Sequence, residues 1–313
     1  MAMAMVAHKS SLGLSVSLWA WICPLEVEQM AAMEMLDEHH SSSSIQQSSG
    51  DHNVYKLGSI NGHNIVIAGL HLPGNCSAAA VVAQMTMTFP NIRCGVLVGI
   101  GGGVPVTTDK GMIRLRHVVA SKPTGKHSGA VQYDHGKSIA GHFERTGALP
   151  YPPTILLNAA QALEVERARA VDDPVWLNIQ RIDTEHPQFR RFRFPGAAKD
   201  HLYRPEYRRQ RPGLSCESFV VVHRGIIASG ELVVKDAELR DCLAEQDGLL
   251  CFEMEAAGAL SGFPCLVIRG ISDYCDSHKN DEWQGYAAAA AAAYARQLFY
   301  HISRNWPSGG GSS

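Results

Sequence analysis

The stretch 248–276, GLLCFEMEAAGALSGFPCLVIRGISDYCD, limits the fold of this chain more than any other. Two carboxylates, Glu253 and Glu255, stand two residues apart ahead of the small-residue run Ala256-Ala257-Gly258-Ala259. Gly262-Phe263-Pro264 interrupts the chain, and the apolar run Cys265-Leu266-Val267-Ile268 follows, bounded on its far side by Gly270. A short β-branched run between Gly and Pro is the pattern of a buried strand. The stretch therefore reads as strand end, acidic turn, helix, loop, buried strand and a second acidic turn at Ser272-Asp273. Loops beyond the carboxyl ends of strands hold the ligands in open α/β sheets. Glu255 and Asp273 are thus placed where both can face one cleft.

The same alternation runs through the rest of the chain. Strands are expected at 15–23, 54–60, 63–70, 94–100, 114–121, 218–229 and 265–270, and helices at 29–38, 78–87, 151–170, 235–246 and 281–303. Asn61-Gly62 between two apolar runs predicts a tight hairpin, and Ser77 is placed to cap a helix. The seven alanines 287–293 pack only if neighbours come close. Alternating strands and helices predict one α/β domain over 15–303, a central twisted mixed sheet in a three-layer α/β/α arrangement. Residues 1–14 and 304–313 read as disordered and flexible tails, and 39–51 as a flexible loop. The polar, aromatic and basic stretch 172–213 (with RRFRF and LYRPEYRRQRPG) reads as an insertion or lid, its Arg and His residues mostly solvated; long loops in compact domains are often functional.

Lys plus Arg number 28 and Asp plus Glu 30, a net charge of −2. That balance argues against a nucleic-acid-binding surface and suits an enzyme acting on a small molecule. No run reaches the roughly 18 apolar residues of a membrane span. The apolar residues 12–23 are broken by Ser and Gly and run into Glu26 and Glu28, so they read as a first strand and not as a secretory leader. The eight cysteines include no C-x-x-C pair and no zinc spacing, and several sit in apolar runs. Buried free thiols, a reducing cytoplasmic compartment and no metal site are the expectation. Gly101-Gly102-Gly103 fails as a dinucleotide fingerprint because position 104 is Val, so no cofactor is expected.

F-E-M-E-A-A-G at 252–258, with an apolar strand ending R-G-I-S-D at 269–273, resembles the nucleoside phosphorylase and nucleosidase superfamily, its fungal branch above all. The resemblance runs from about Trp21 to His301. It implies a set of roles. Asp273, next to Ser272, would protonate purine N7, Glu255 would accept hydrogen bonds from the ribose 2′- and 3′-hydroxyls, and Met254 would offer an apolar face to sugar or base. Glu253 would hold the loop or a water. Gly101 and Gly102, in V-G-I-G-G-G-V-P at 98–105, would lie under the ribose and the nucleophile, and the turn 230–234 with Val234 would run along the base. The functional Glu of the turn after the first strand falls on Glu28 when 21–36 is aligned without gaps, with Glu26 as the near alternative. Each acidic residue at a helix start also has a plainer reading, a favourable charge–dipole contact. The chain departs from the family pattern at Pro24 and Glu26, in a shortened loop at 72–77, and at Arg116-His117, where relatives carry Gly-Asp. PTGKHSGAVQYDHGK at 123–137 resembles a stretch of the fungal branch and is expected near the site without an assigned role.

Cleavage of an N-glycosidic bond passes through an oxocarbenium-like sugar. The departing purine must be protonated, the cationic ribose held and a nucleophile delivered to C1′. Asp273, Glu255 and Glu28 match these tasks as acid, ribose ligand and general base on water. Family phosphorylases carry a phosphate-gripping Arg where this chain has Leu97, and a hydroxyl where it has Gly101. Leu offers no donor to a dianion. The expected function is hydrolysis of a purine nucleoside or nucleotide to free base and ribose. The alternatives are a phosphorylase, with Arg93 or an Arg of the insertion reaching the site, and a degenerate nucleoside-binding or signalling module. The family commonly assembles, so a homo-oligomer is expected.

Overall fold

The computed structural model describes residues 18–202 and 218–304. The expected tails (bar Arg304), positions 15–17 of the first strand, the stretch 203–213 and Cys216 lie outside the described residues. In chain order the elements are β1 (Leu18–Cys23), α1 (Glu26–Glu34), β2 (Glu38–His40), β3 (Tyr55–Ile60), β4 (His63–Gly69), α2 (Asn75–Thr88), β5 (Ile92–Gly103), β6 (Thr107–Thr108), β7 (Gly111–Met112), β8 (Val118–Ser121), β9 (Ala130–Gln132), β10 (Gly136–Ile139) and β11 (His142–Arg145). They continue with α3 (Thr154–Arg167), α4 (Pro174–Ile179), β12 (Val222–Ser229), α5 (Ala237–Asp247), β13 (Leu249–Glu253), α6 (Ala256–Ala259), β14 (Cys265–Asp273) and α7 (Gln284–Leu298).

The main sheet is mixed, in the order β13-β12-β8-β14-β5-β1-β4-β3-β2, with β9 also on β12. β1 pairs in parallel with β4 and β5, and β14 in parallel with β5. These strands are nearly all buried, which is why they read as continuous apolar runs. β8 is antiparallel to β14, and β13 folds back antiparallel onto the end of β5 through Cys251–Gly103 and Phe252–Gly102. That pairing closes β13, β12, β8, β14 and β5 into a ring and sets the acidic turn 253–255 beside the glycines of β5. α7 packs on β14 and β5, with α1, α3 and α4 against it, while α2 packs on α6 and α5 on β13. The buried residues form a large cluster on the central strands and α7. A smaller one, with Val131, Ile226, Val234 and Phe252, sits at the β12–β13 end of the same sheet.

The alanine run is buried throughout, and the reason is close approach. A Cβ on Gly270 of β14 would lie 1.9 Å from the carbonyl oxygen of Ala287. Asn61 (φ 49°) and Gly62 (φ 77°) both lie in the left-handed region, which gives β3–β4 the primed turn that suits a twisted hairpin.

Several expected boundaries are wrong. α1 begins at Glu26 and not at 29, because Glu26 and Glu28 favour the first turn of a helix and Pro24 ends the strand. Within 39–51, His39 and His40 belong to β2, which pairs with β3. α2 starts at Asn75 with Gly74 as its N-cap, so Ser77 lies inside the helix and caps nothing. Residues 114–117 are a turn with Arg116 at φ 74°, and the strand begins only at Val118. In the described part of 172–213 Arg181, His186, Arg190, Arg191 and Arg193 are exposed, as expected, but the stretch is also anchored on the core. Val175, Ile179, Ile182 and Phe192 are buried, α4 packs on α7, and buried Asp173 accepts two hydrogen bonds from Arg167 and one from the Val220 amide. Periodicity failed there because α4 and its two neighbouring 3₁₀ turns are each shorter than two helical repeats.

Candidate functional site

Pro24 closes β1, and α1 starts almost at once, which puts Glu28 in its first turn and 3 % exposed. Its Oε2 accepts a hydrogen bond from the Leu25 amide at 2.5 Å, the carboxylate half of a capping box. Its Oε1 accepts one from the Ile100 amide on β5 at 2.7 Å. Burial pushes the Glu28 carboxyl up, the Arg269 guanidinium and the two amides pull it down, neighbouring Glu255 adds to the rise, and the result is about 8. A base with that value is poised near neutral pH. Glu26, the near alternative, points outward with its side chain 84 % exposed.

The turn after β13 presents three residues. Glu253 turns inward, accepting hydrogen bonds from the amides of Glu255 and Ala256, and so holds the start of α6. Glu255 accepts from the Gly74 amide at 3.1 Å through Oε1. Between them lies Arg269 of β14, 1 % exposed, whose Nη2 donates to Glu253 and, at 3.1 Å, to Glu255. Burial raises the Glu255 carboxyl and neighbouring Glu253 adds to this, against the pull of Arg269. One guanidinium thus serves Glu253 and Glu255 directly and Glu28 through its field.

Glu28 and Arg269 meet across β5. A Cβ on Gly99 would lie 2.4 Å from Glu28 Oε1 and 2.5 Å from Arg269 Nη1, and one on Gly102 would lie 2.8 Å from Asp273 Oδ1. Gly99, Gly101, Gly102 and Gly103 are not at positive φ. They are needed for space, and they form the end of β5, which runs three residues past its expected end at 100.

Asp273 ends β14. Oδ1 accepts from the Cys275 amide at 2.9 Å, and Oδ2 accepts from Lys279 Nζ at 2.9 Å and Ser272 Oγ at 3.1 Å. Cys275 sits at φ 53°, a strained conformation for a non-glycine residue.

These groups share one cavity of about 200 Å³. Glu28, Gly101, Gly102, Val234, Glu253, Met254, Glu255, Ser272 and Asp273 all line it, so these nine residues come to one place from across the chain. Gly103 does not; a Cβ there would face Ile271 and Ile113. The stretch 123–137 and exposed Arg93 are also absent from the lining, as are residues 172–202. Leu97 is fully buried in the core. Leu25, Pro73, Leu232 and Val233 add apolar surface, with Leu232 and Val233 more than half exposed. Among the charged lining residues the carboxylates outnumber the cations four to two, and Arg269 and Lys279 are both bound to carboxylates.

Sequence reasoning passed over Arg269 and Lys279. Arg269 had a signal, a lone cation inside an apolar strand, which demands a buried counter-ion. Lys279 had none. Among the described residues no group of three or more His, Cys, Asp or Glu is arranged to hold a metal ion, and no helix is long and apolar enough to cross a membrane. Of the described cysteines, Cys23, Cys94, Cys251, Cys265 and Cys275 are buried, Cys76 and Cys242 are exposed, and all seven are free.

No protein-family model matches the chain. It is 42% identical over 295 residues to a nucleotide-binding leucine-rich repeat (NLR)-like protein of Hyaloscypha variabilis, covering 90% of this chain but only 29% of that protein. It is 36% identical over 88 residues to the ATP nucleosidase Cap17 of Escherichia coli, which covers 26% of this chain and 17% of that one. The chain therefore spans less than a third of either relative. Among solved structures, the 5′-methylthioadenosine/S-adenosyl homocysteine nucleosidase of Helicobacter pylori superposes with a TM-score of 0.61 over 92% of this chain and 99% of its own, at 16% identity. The fold is that of the nucleoside phosphorylase and nucleosidase superfamily.

Proposed function

We propose that a chain with this superfamily fold and this cavity is a purine nucleosidase, hydrolysing the N-glycosidic bond to free base and ribose. The observation that carries the reading is the convergence of Glu28, Glu255 and Asp273 on one cavity from the ends of β1, β13 and β14. In this reading Glu28 in its ionised form takes a proton from water, which attacks C1′. The carboxylate of Glu255 accepts hydrogen bonds from the ribose hydroxyls and faces the positive charge that develops on the sugar. Asp273 gives the departing purine its proton. The family relatives that act as nucleosidases support hydrolysis.

The charge of the lining separates water from phosphate. A phosphate dianion entering the cavity would meet two cations, Arg269 and Lys279, that are already bound to carboxylates. Uncharged water has no such barrier. The same pairing of the cations favours a nucleoside without a 5′-phosphate, with the apolar surface of Leu25, Pro73, Leu232 and Val233 available to an uncharged 5′ end. Further parts of the reading are one domain over 15–303 with helices on both sides of the sheet, and a cytoplasmic homo-oligomer, the buried free thiols supporting a reducing compartment.

The likeness to an NLR-like protein over 90% of this chain favours one second reading, a nucleoside-binding module within a signalling protein. Incubation with adenosine, inosine, guanosine and their 5′-phosphates, with and without inorganic phosphate, tests both. Free base and ribose, formed at a rate indifferent to phosphate, are expected. Ribose 1-phosphate formed only with phosphate would establish a phosphorylase, and binding without turnover would establish the module.

A further inference from the structure

The acid assigned to the leaving group stands in surroundings that raise the question of its proton. Both oxygens of Asp273 accept hydrogen bonds, from the Cys275 amide, Ser272 Oγ and Lys279 Nζ. Of these three donors an amide and an alcohol do not release protons near neutral pH. The Lys279 ammonium is the most acidic of the three. Its placement is built. Asp276, 5 % exposed, accepts the His278 amide at 2.9 Å, and its carbonyl accepts the Lys279 amide at 3.2 Å. This turn brings the loop after β14 back over the strand end, so that Lys279 lines the cavity only six residues past Asp273.

We propose that Lys279 is the proton source of the leaving-group acid, passing its proton through the Asp273 carboxyl to the departing purine. The inference rests on the nucleosidase reading and adds a residue to it. As the C1′–N9 bond breaks, its electron pair goes to the base, and N7 gains basicity. Asp273 gives a proton to N7 and receives one from Lys279 Nζ, which becomes a neutral amine. On the other side water bonds to C1′ and loses its proton to Glu28. Lys279 then takes a proton from solvent and Glu28 returns one, so the sum is nucleoside plus water to base plus ribose. Burial disfavours charge on Lys279 but the facing Asp273 carboxylate more than offsets this, so the ammonium is fully protonated at the start of each turnover.

The test compares wild type with Lys279→Met and Lys279→Arg in the full chain, with kcat for adenosine and inosine measured from pH 5 to 9. Without a proton relayed from Lys279, Asp273 must draw its proton from solvent, whose supply falls tenfold per pH unit. The wild-type to Lys279→Met ratio of kcat should therefore grow with pH and level off within the ~10²–10⁴ that a general acid contributes. Dividing by wild type removes the common effect of Glu28. Arg keeps the charge and the hydrogen bond but does not deprotonate, so Lys279→Arg should be impaired like the Met variant while melting like wild type. Full activity in Lys279→Arg, or a ratio flat across pH, overturns the inference and leaves the nucleosidase reading standing. A wild-type chain that releases no base from either nucleoside refutes both.

Discussion

Glu28→Gln should change the sign of its effect on stability as pH rises. The Glu28 carboxyl ionises at 4.5 in an unfolded chain and at about 8 in the fold. Below pH 4.5 both states hold the proton and the group has no effect. Between 4.5 and 8 the unfolded chain loses it and the folded chain keeps it, so stability declines. Above 8 both are ionised, and the wild type carries a constant penalty of about 5 kcal/mol. Gln does not titrate and escapes this. It also has one acceptor oxygen where Glu28 has two, each engaged by a backbone amide. Its NH₂ group must face the Leu25 or Ile100 amide, which leaves a buried donor unsatisfied at a cost of about 1–3 kcal/mol. The variant should thus be less stable than wild type by about 1–3 kcal/mol below pH 5, and more stable by about 2–4 kcal/mol at pH 9. Urea denaturation at the two pH values measures this, with an unchanged slope showing that the unfolded state is not what moved. A stability difference that is equal at pH 5 and pH 9 would refute the assignment of a raised Glu28. Turnover should drop by ~10²–10⁴ above pH 8, as for loss of a general base, and by less at lower pH, where the wild-type base is itself protonated.

Further outcomes follow from the same geometry. Wild-type kcat/KM should rise with pH up to about 8, because the base must be ionised, and an acid limb several units lower would place the base elsewhere. Asp273→Asn should lower kcat by ~10²–10⁴ with KM little changed, and unaltered turnover would remove it as the acid. Arg269→Leu leaves Glu253 and Glu255 buried without their cation, a loss of about 3–5 kcal/mol at pH 8 in urea denaturation. That loss should shrink at pH 5, where the Glu255 carboxyl, raised by burial, can take up a proton; equal losses at both would mean that packing and not charge is at stake. Gly99→Ala drives a methyl between Glu28 and Arg269, so activity should vanish with a stability loss of about 1–3 kcal/mol, and an active Ala variant would contradict the close approach.

Much of the frame is legible along the chain because strands, tight turns and caps are set by residues close in sequence. The buried strands at 18–23, 94–100 and 265–270, and the Asn61-Gly62 hairpin, all follow from local pattern. Elements shorter than two of their own repeats, such as α4, carry no such pattern, and the polar composition of 172–202 hid the four apolar residues that anchor it. The carboxylates 28, 255 and 273 were legible by resemblance to other sequences, since each sits in a short motif at a strand end. Tertiary structure alone decided how they are held. Arg269 is defined by Glu253 and Glu255, 16 and 14 residues away, and by Glu28 at the other end of the chain. Gly99 and Gly270 are defined by side chains and a helix that cross them. Local periodicity encodes backbone hydrogen bonding between near neighbours. The charge balance of a buried site depends on which distant strand ends the sheet brings together, and here the return of β13 onto β5 does that.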